Sequence, residues 1–269
     1  MVNPTQPERP KDAPDPEDRY RAPALDKGLD ILELLAGYDE SLSQAEIAKA
    51  LGRSPGEIYR MLDRLVSRGY VIRGSDDRYE LSLKLFVLAH RHPPLQRLVS
   101  HATPILRRLA RETGQSCHLA LYQRGRVVVV AQVDAPGYWA LAIRVGAQVD
   151  LLNTGSGHVL LAFQSRRERQ QMLAEQDAPP PDMEALHARL DAIVRNGLEI
   201  MESQQTRGVV NISAPVLSAQ GTALAALTCP YVERVDPAQS LDREQVTTLV
   251  RAAARHLAGT TGQAAGEHG

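Results

Sequence analysis

The chain has 269 residues, a formal net charge of −1 and two cysteines, Cys117 and Cys229. This length holds one large domain or two ordinary ones, with enough apolar core to be stable without disulfide bonds or structural metal ions. The near-neutral charge excludes a general electrostatic attraction of the whole molecule to nucleic acid. Two cysteines are too few for a disulfide framework, and this number fits a reducing compartment. We find no apolar run that could span a bilayer and no signal-peptide core, so we expect a cytoplasmic protein with no membrane partner.

The N-terminal stretch NPTQPERPKDAPDPEDR is rich in proline and charge and has almost nothing to bury. We therefore predict a disordered tail over residues 1–20. Its last arginines could instead reach a minor groove, and this alternative stays open. The segment ALDKGLDILELLA that follows has apolar residues at helical spacing and predicts the first helix, Ala24 to Ala36. We place the first folded domain at residues 21–90.

Two capped helices are predicted in the next stretch, SQAEIAKALGRSPGEIYRMLDRLVSRG. Each begins with an S-x-x-E capping box, Ser43 with Glu46 and Ser54 with Glu57, which satisfies two backbone amides at a helix start. Gly52 supplies the turn between them. Two short helices joined by a tight turn are typical of a helix-turn-helix, in which the second helix is the recognition helix.

A predicted strand (YVIR), a polar turn (GSDD) and a second strand (RYEL) follow at once, which makes a winged helix. The alternative is that the two helices merely pack. The order of caps, turn and hairpin favours DNA binding, whereas charge alone does not, because acidic residues partly offset the arginines. The candidate DNA contacts are Ser43, Gln44, Arg53, Ser54, Gly56, Glu57, Tyr59, Arg60, Arg64 and Arg78.

A helical connector leads into the second half of the chain. A short amphipathic helix (LKLFVLAHR) ends at a proline pair, and Leu95 to Thr113 predicts a longer helix, so residues 91–113 form a linker. Apolar connector faces of this kind often associate, so we predict a dimer or a dimer of dimers. The same faces could instead be the edge of a core.

From Ser116 onward the pattern changes to strands. We predict strands at Cys117–Tyr122, Val127–Val133, Leu141–Val149, Glu199–Gln204, Val209–Leu217 and Ala223–Val232. We predict helices at Val159–Phe163, Arg166–Glu175, Met183–Asn196 and Leu241–Ala258. An antiparallel sheet flanked by helices is typical of an α+β sensor domain, here residues 114–260, followed by a disordered tail at 261–269.

These motifs, in this order, resemble the IclR family of bacterial transcriptional regulators over residues 21–259. The resemblance rests on ALDKGLDILELLA, LSQAEIAKALGRSPGEIYRMLDRLVSRGYV, YELSLKLFVLA, LARETGQSCHLAL, LNTGSGHVLLA, GVVNISAPVL and ALAALTCPY. It implies an α+β protein with an N-terminal winged helix-turn-helix, a linker helix and a C-terminal GAF-like effector-binding domain. It further implies binding to a double-stranded DNA operator under the control of a small organic acid or aromatic catabolite, by a dimer or dimer of dimers.

Two positions depart from the family pattern. The sensor loop ends in Gly157-His158 where the family commonly has Gly-Lys, so an anion contact from that lysine is not expected here. The recognition helix opens with Pro55-Gly56-Glu57 in place of a Lys-Ser-Thr type run. Arg60 matches the arginine of the family's Y-R-x-L, and we expect it chiefly to hold phosphate.

The loop LNTGSGH opens directly into a helix, where backbone amides and the helix dipole favour a negative group. The resemblance places the hairpin formed by the last two strands opposite this loop. The candidate effector-binding residues are Leu152, Thr154, Gly155, Ser156, Gly157, His158, Val209, Asn211, Ser213, Leu227, Thr228 and Cys229. Close packing would also explain the small residues of the loop.

Metal and catalytic interpretations have weaker support. Cys117, His118, His158 and Cys229 could converge on zinc, but no close C-x-x-C spacing is present. Ser156 lacks the first glycine of a G-x-S-x-G elbow, and neither a P-loop nor G-x-G-x-x-G occurs. We therefore expect no metal, no cofactor and no enzyme. A metabolite-binding module without DNA binding, or a hydrolase, remains as the alternative.

Overall fold

The computed structural model describes residues 22–233 and 241–266. The chain divides into two units, Met1–His92 and Pro93–Gly269. The predicted linker, residues 91–113, falls mostly in the second unit. The predicted disordered tail, residues 1–20, lies outside the described residues. No described helix combines the length and the apolar character that a membrane crossing requires.

The first unit is a small helical domain with a three-stranded antiparallel sheet. Its elements are α1 (Pro23–Ala36), β1 (Leu42–Ser43), α2 (Gln44–Ala50), α3 (Pro55–Ser67), β2 (Val71–Arg73), β3 (Arg78–Leu81) and α4 (Lys84–His90). The strand order is β1-β3-β2, so the predicted wing hairpin gains a third, short strand. Ile31, Ile47, Ile58 and Leu62 are fully buried and join α1, α2 and α3 in one core.

The second unit is a six-stranded antiparallel sheet with helices on both faces. Its elements are α5 (Pro93–Thr113), β4 (Cys117–Gln123), β5 (Arg126–Val133), β6 (Gln148–Asp150), α6 (Gly155–Ala162), α7 (Arg166–Ala174), α8 (Met183–Asn196), β7 (Glu199–Glu202), β8 (Val209–Leu217), β9 (Ala223–Val232) and α9 (Arg243–Gly266). The strand order is β6-β5-β4-β9-β8-β7. This is the predicted α+β class.

The two faces of this sheet have separate cores because successive side chains of a strand point to opposite faces. On β9, Leu227 and Cys229 face the core that α5 and α9 cover. Ala226 faces the opposite core, which α6 and α8 cover. Thr228 therefore lies on the α6 side, and this alternation determines which β9 residues can line a site there.

Three of the predicted elements differ most from those in the structure. The predicted strand Leu141–Val149 is largely a loop, and only Gln148–Asp150 pairs with β5. Gly146 adopts φ +86° and turns the chain into that short pairing, so the residues before it leave the sheet. Helix α6 begins at Gly155 rather than Val159, and α9 continues to Gly266, through most of the predicted tail 261–269.

Candidate functional site

The exposed face of α3 is the candidate DNA interface. Ser54, Gly56, Glu57, Tyr59, Arg60 and Arg64 are all exposed at the start of this helix or along it. Arg60 and Arg64 lie one turn apart, and among the described residues neither guanidinium has an ion-pair partner. Their charges are therefore available to phosphate groups, which receive most protein–DNA hydrogen bonds.

Capping interactions fix the start of α3. The amide and hydroxyl of Ser54 both donate to Glu57 Oε2 at 2.9 Å, and Lys27 Nζ lies 3.3 Å from Glu57 Oε1. The Ser54 amide is the main cause that lowers the pKa of Glu57 to about 2, followed by the Ser54 hydroxyl and Lys27. Glu57 is thus a charged cap that is already bonded, which leaves it poorly placed to read bases.

Two of the predicted DNA-contacting arginines have partners within their own domain. Arg53 Nη2 lies 3.0 Å from Asp30 Oδ2 on α1. Arg78 Nη2 lies 3.0 Å from Glu46 Oε2, and its Nε donates to the carbonyl of Ser41 at 2.9 Å. Because their guanidinium groups are occupied, these residues join elements of the domain.

Two further candidates serve the helix-turn-helix geometry. Ser43 caps α2 in a complete capping box with Glu46. The Gln44 side chain donates to the carbonyl of Pro55 at 2.9 Å and so connects the starts of α2 and α3. Arg73 of the wing is half exposed, but it is absent from the predicted contacts. Its ion pair with Asp77, at 2.9 Å, is local in sequence, so this position could have been recognised as an exposed cation on the wing.

A cavity of about 240 Å³ opens beside the N-terminus of α6 in the second unit. It is bounded by β4, β6, β8, β9, α6, the loop before β6 and the loop after β7. The residues that line it are His118, Leu141, Ala142, Ile143, Val149, Thr154, Gly155, Ser156, Ser203, Gln205, Thr206, Val209, Asn211, Thr228 and Pro230. The structure thus brings together six of the predicted effector residues: Thr154, Gly155, Ser156, Val209, Asn211 and Thr228.

The other six predicted effector residues do not line this cavity. Leu227 and Cys229 lie on the opposite face of the sheet and are fully buried against α5 and α9. Ser213 lies behind Thr228, whose hydroxyl donates to it at 2.8 Å. Leu152, Gly157 and His158 lie away from the cavity wall. For the β9 residues the reason is strand alternation, which places only every second side chain toward the cavity.

The two loop glycines permit close packing at the start of α6. A Cβ on Gly157 would lie 2.0 Å from the carbonyl oxygen of Leu151, and one on Gly155 would lie 2.6 Å from Ser213 Oγ. The backbone of Leu151 cannot move aside for an added Cβ on Gly157 as a flexible side chain could. The packing interpretation of these small residues is therefore correct for Gly157, while Gly155 both packs closely and lines the cavity.

Polar groups at the α6 N-terminus converge on the cavity. Thr154 caps the helix by accepting from the amide of Gly157 at 3.1 Å. The amides of Gly155 and Ser156 precede the first intrahelical hydrogen bond, and no side chain in the described part of the chain accepts from them. The Ser156 hydroxyl lies 2.8 Å from that of Thr228, so a buried chain of hydroxyls runs from the cavity toward Ser213.

His158, which stands in place of the family lysine, turns away from the cavity. Its Nε2 lies 2.6 Å from the carbonyl oxygen of Leu152, so it secures the loop before α6. Burial is the main cause that lowers its pKa, against the raising effect of the Leu152 carbonyl. His158 therefore has a structural contact where the family pattern has a cation.

Sequence reasoning misses the residues that reach the cavity from other elements. His118 on β4 stands out in the sequence only as a possible metal ligand, although it lies directly opposite Thr228 in the sheet register. Leu141 and Ile143 belong to a loop rather than to the predicted strand, and Ser203, Gln205 and Thr206 come from the loop after β7. The alternation of side chains along β4 identifies His118 as a cavity residue only when the pairing of β4 with β9 is known.

The cysteines and histidines do not form a metal centre within the described part of the chain, where no group of three or more His, Cys, Asp or Glu side chains could hold an ion. Cys117 Sγ donates to the carbonyl of Leu106 at 3.2 Å. Burial raises the pKa of the Cys117 thiol to about 12 and raises that of Cys229 as well. Both are core thiols with little thiolate character.

Comparison with known proteins agrees with both units. The IclR helix-turn-helix domain matches residues 24–74, and the C-terminal domain of the bacterial transcriptional regulator IclR matches residues 95–258. The chain belongs to the IclR family of bacterial transcriptional regulators. The predicted family and fold class are therefore confirmed, and the protein is a transcriptional regulator with a DNA-binding domain and a C-terminal effector-binding domain.

Individual IclR-family proteins cover most of the chain. The regulator KdgR of Escherichia coli K12 is 28% identical over 208 residues, which are 75% of this chain and 79% of KdgR. BhcR of Paracoccus denitrificans is 30% identical over 222 residues, 79% of this chain and 78% of BhcR. An IclR homologue from Microbacterium hydrocarbonoxydans, solved with 4-hydroxybenzoate, is 22% identical with a TM-score of 0.72 and covers 88% of this chain and 98% of its own.

Proposed function

We propose that this IclR-family regulator contacts its operator through the exposed face of α3 and changes its operator affinity when a small organic acid occupies the cavity beside α6. The observation that carries this proposal is the convergence of six predicted effector residues on one cavity next to free helix amides. Since its partner is chromosomal DNA, we place its action in the cytoplasm.

The composition of the cavity wall supports a small acid. The free amides at the start of α6 favour a negative group, because the helix dipole is positive at that end. Leu141, Ile143, Val149 and Val209 offer apolar surface to the body of the ligand. The volume of about 240 Å³ suits a compact metabolite, and the 4-hydroxybenzoate in the Microbacterium homologue makes an aromatic acid a second candidate class.

A hydrolase does not fit this site. A serine nucleophile requires an adjacent general base. The Ser156 hydroxyl is bonded to Thr228, and the Thr228 hydroxyl in turn donates to Ser213. We infer that Ser156 orders the cavity wall and binds ligand, and that the protein is not an enzyme.

A gel-shift titration with DNA from the region upstream of the gene tests the DNA-binding half of the proposal. We expect a specific complex whose affinity falls steeply as salt rises, because counterions are released from the neutralised phosphates. A panel of organic acids added to this complex tests the effector half. Binding to no upstream fragment, or a complex that no acid alters, would contradict the proposal.

Filling the cavity with a larger side chain should weaken effector binding. Ala142 is exposed and lines the cavity, so the phenyl group of Ala142→Phe can enter it without displacing core residues. We expect effector affinity to fall at least about tenfold, since the ligand and the ring compete for one volume. Isothermal titration of each variant with an active acid measures this.

Ala140→Phe is the matched control, because Ala140 is exposed on the same loop but does not line the cavity. It should bind the acid as the wild type does. Equal effector affinity in both variants would mean that the ligand occupies a different site.

We also propose that the regulator is a dimer through α4. Leu83 is 77% exposed and Phe86 59% exposed, and Val87 and Leu88 are exposed as well, within the part of the chain that the structure describes. The predicted second contribution, from Leu95–Leu109 of α5, is largely used in its own unit, since Leu106 and Leu109 are buried there. An exposed apolar patch of this kind marks an interaction surface.

Light scattering should show at least a dimer at about micromolar concentration, because two-fold related half-sites require two winged helices. Phe86→Asp should shift the equilibrium toward monomer by placing a charge in the apolar patch. Tyr38→Asp, an exposed aromatic position outside α4, is the control. A wild-type monomer, or a Phe86→Asp dimer as stable as the control, would argue against this interface.

A further inference from the structure

His118 is the one titratable side chain among the described residues that line the cavity. It is 2% exposed, and its Nδ1 is buried without a hydrogen-bond partner in the described part of the chain. Buried polar atoms are almost always paired, because an unpaired one forfeits its hydrogen bonds to water. Because His118 lines the cavity, a ligand bound there can supply the missing hydrogen bond to its imidazole.

The neighbours of His118 define what such a ligand must offer. Thr228 lies directly opposite it on β9, so their side chains are about 5 Å apart at Cβ. The Thr228 hydroxyl donates to Ser213 and must therefore accept from Ser156, whose own oxygen keeps free lone pairs. The described wall around His118 thus presents hydrogen-bonding groups without a charged side chain, next to the free amides of α6.

A hydroxyl group matches this arrangement. A neutral imidazole has one donor and one acceptor, and a hydroxyl can act as the partner of either. A carboxylate on the same imidazole would find at most one donor, whereas the α6 N-terminus offers two amides and a favourable dipole. The hydroxyl of a hydroxy acid can therefore meet His118 while its carboxylate meets the neighbouring amides of α6.

We propose that His118 is an effector-binding residue whose neutral imidazole hydrogen-bonds a hydroxyl group of a hydroxylated monocarboxylic acid, while the carboxylate of that acid lies at the N-terminus of α6. This inference rests on the effector site proposed above. It adds the ligand's second functional group and the residue that recognises it.

The proposal determines the pH dependence of ligand affinity. Burial lowers the pKa of His118 from 6.5 to about 4, so the imidazole stays neutral at ordinary pH. Affinity should be flat from about pH 5.5 to about pH 8, because the form that binds is already fully populated. If His118 bound the carboxylate as an ion pair, affinity would instead rise as the pH fell toward about 4, where the imidazole of the free protein becomes protonated.

Matched ligand pairs test the hydroxyl contact directly. The pairs are 4-hydroxybenzoate with benzoate and lactate with propionate, titrated into the full-length wild type, His118→Leu and His118→Gln. We expect the wild type to bind the hydroxylated member of at least one pair about tenfold more tightly. His118→Leu should lose this preference, and His118→Gln, which keeps a donor and an acceptor, should retain part of it.

The melting temperature separates a ligand-binding role from a structural one. Because His118 Nδ1 is unpaired among the described residues, His118→Leu should have an equal or higher Tm without ligand. His101→Leu is the control, since His101 Nδ1 on α5 is also unpaired there but lies outside the cavity. It should keep the wild-type hydroxyl preference.

The outcomes distinguish this inference from the function on which it rests. An unchanged hydroxyl preference in His118→Leu overturns the inference, as does failure of both members of both pairs to bind. If the acids bind with the expected preference but leave operator affinity unchanged, the effector function fails while the role of His118 stands. If they alter operator affinity equally in the wild type and His118→Leu, the function stands and the role of His118 fails.

Discussion

Arg60→Ala is expected to weaken operator binding about tenfold and to lower the slope of log affinity against log salt by about one unit. Arg60 is exposed on α3, and among the described residues its guanidinium has no competing ion pair. Its removal therefore takes away one phosphate contact and the counterion release that accompanies it. Gel-shift titrations at three or more salt concentrations measure both quantities.

A matched arginine outside the DNA-binding domain provides the control. Arg195 is exposed at the end of α8, so Arg195→Ala makes the same change in net charge away from α3. Its affinity and salt slope should equal those of the wild type. If Arg60→Ala also behaves as the wild type, α3 does not meet the DNA backbone through this residue.

Gly157→Ala is expected to destabilise the second unit by about 3 kcal/mol and to lower its Tm by roughly 10 °C. The added Cβ would lie 2.0 Å from the Leu151 carbonyl oxygen and 2.8 Å from Leu151 Cα, so α6 must move away from the preceding backbone. This movement also displaces the free amides at the α6 N-terminus. Thermal and urea unfolding, followed by circular dichroism, measure the loss.

Gly259→Ala is the companion variant. Gly259 lies in α9, and nothing stands within 4 Å of the position that an added Cβ would take, so alanine should stabilise the helix by up to about 1 kcal/mol. The two substitutions add the same methyl group with opposite expected signs. Equal unfolding midpoints for Gly157→Ala and the wild type would show that the α6 packing can relax at little cost.

Local chemistry made the DNA-binding half of this protein predictable from sequence. The capping boxes at Ser43 and Ser54, the turn at Gly52 and the hairpin after α3 depend on residues within a few positions of one another. Such interactions form in the same way in any surrounding fold. The helix-turn-helix, its wing and the α+β class could therefore be inferred before any contact was known.

The partners of charged residues on that domain could not be inferred in this way. Arg53 and Arg78 look equivalent to Arg60 in the sequence, since each is an arginine near the recognition helix or wing. Only the tertiary structure places Asp30 of α1 beside Arg53 and Glu46 of α2 beside Arg78. Those contacts join residues 23 and 32 positions apart, which no local pattern specifies.

The sequence by itself determined that a small polar loop begins α6 and that a strand hairpin follows later in the chain, since both are local patterns. Tertiary structure alone decided which side chains of that hairpin meet the loop. A strand turns alternate residues to opposite faces, and a shift of one residue would exchange them all. The register of β9 sends Thr228 to the cavity and Leu227 and Cys229 to the opposite core, and its pairing with β4 brings in His118 from more than 100 positions away.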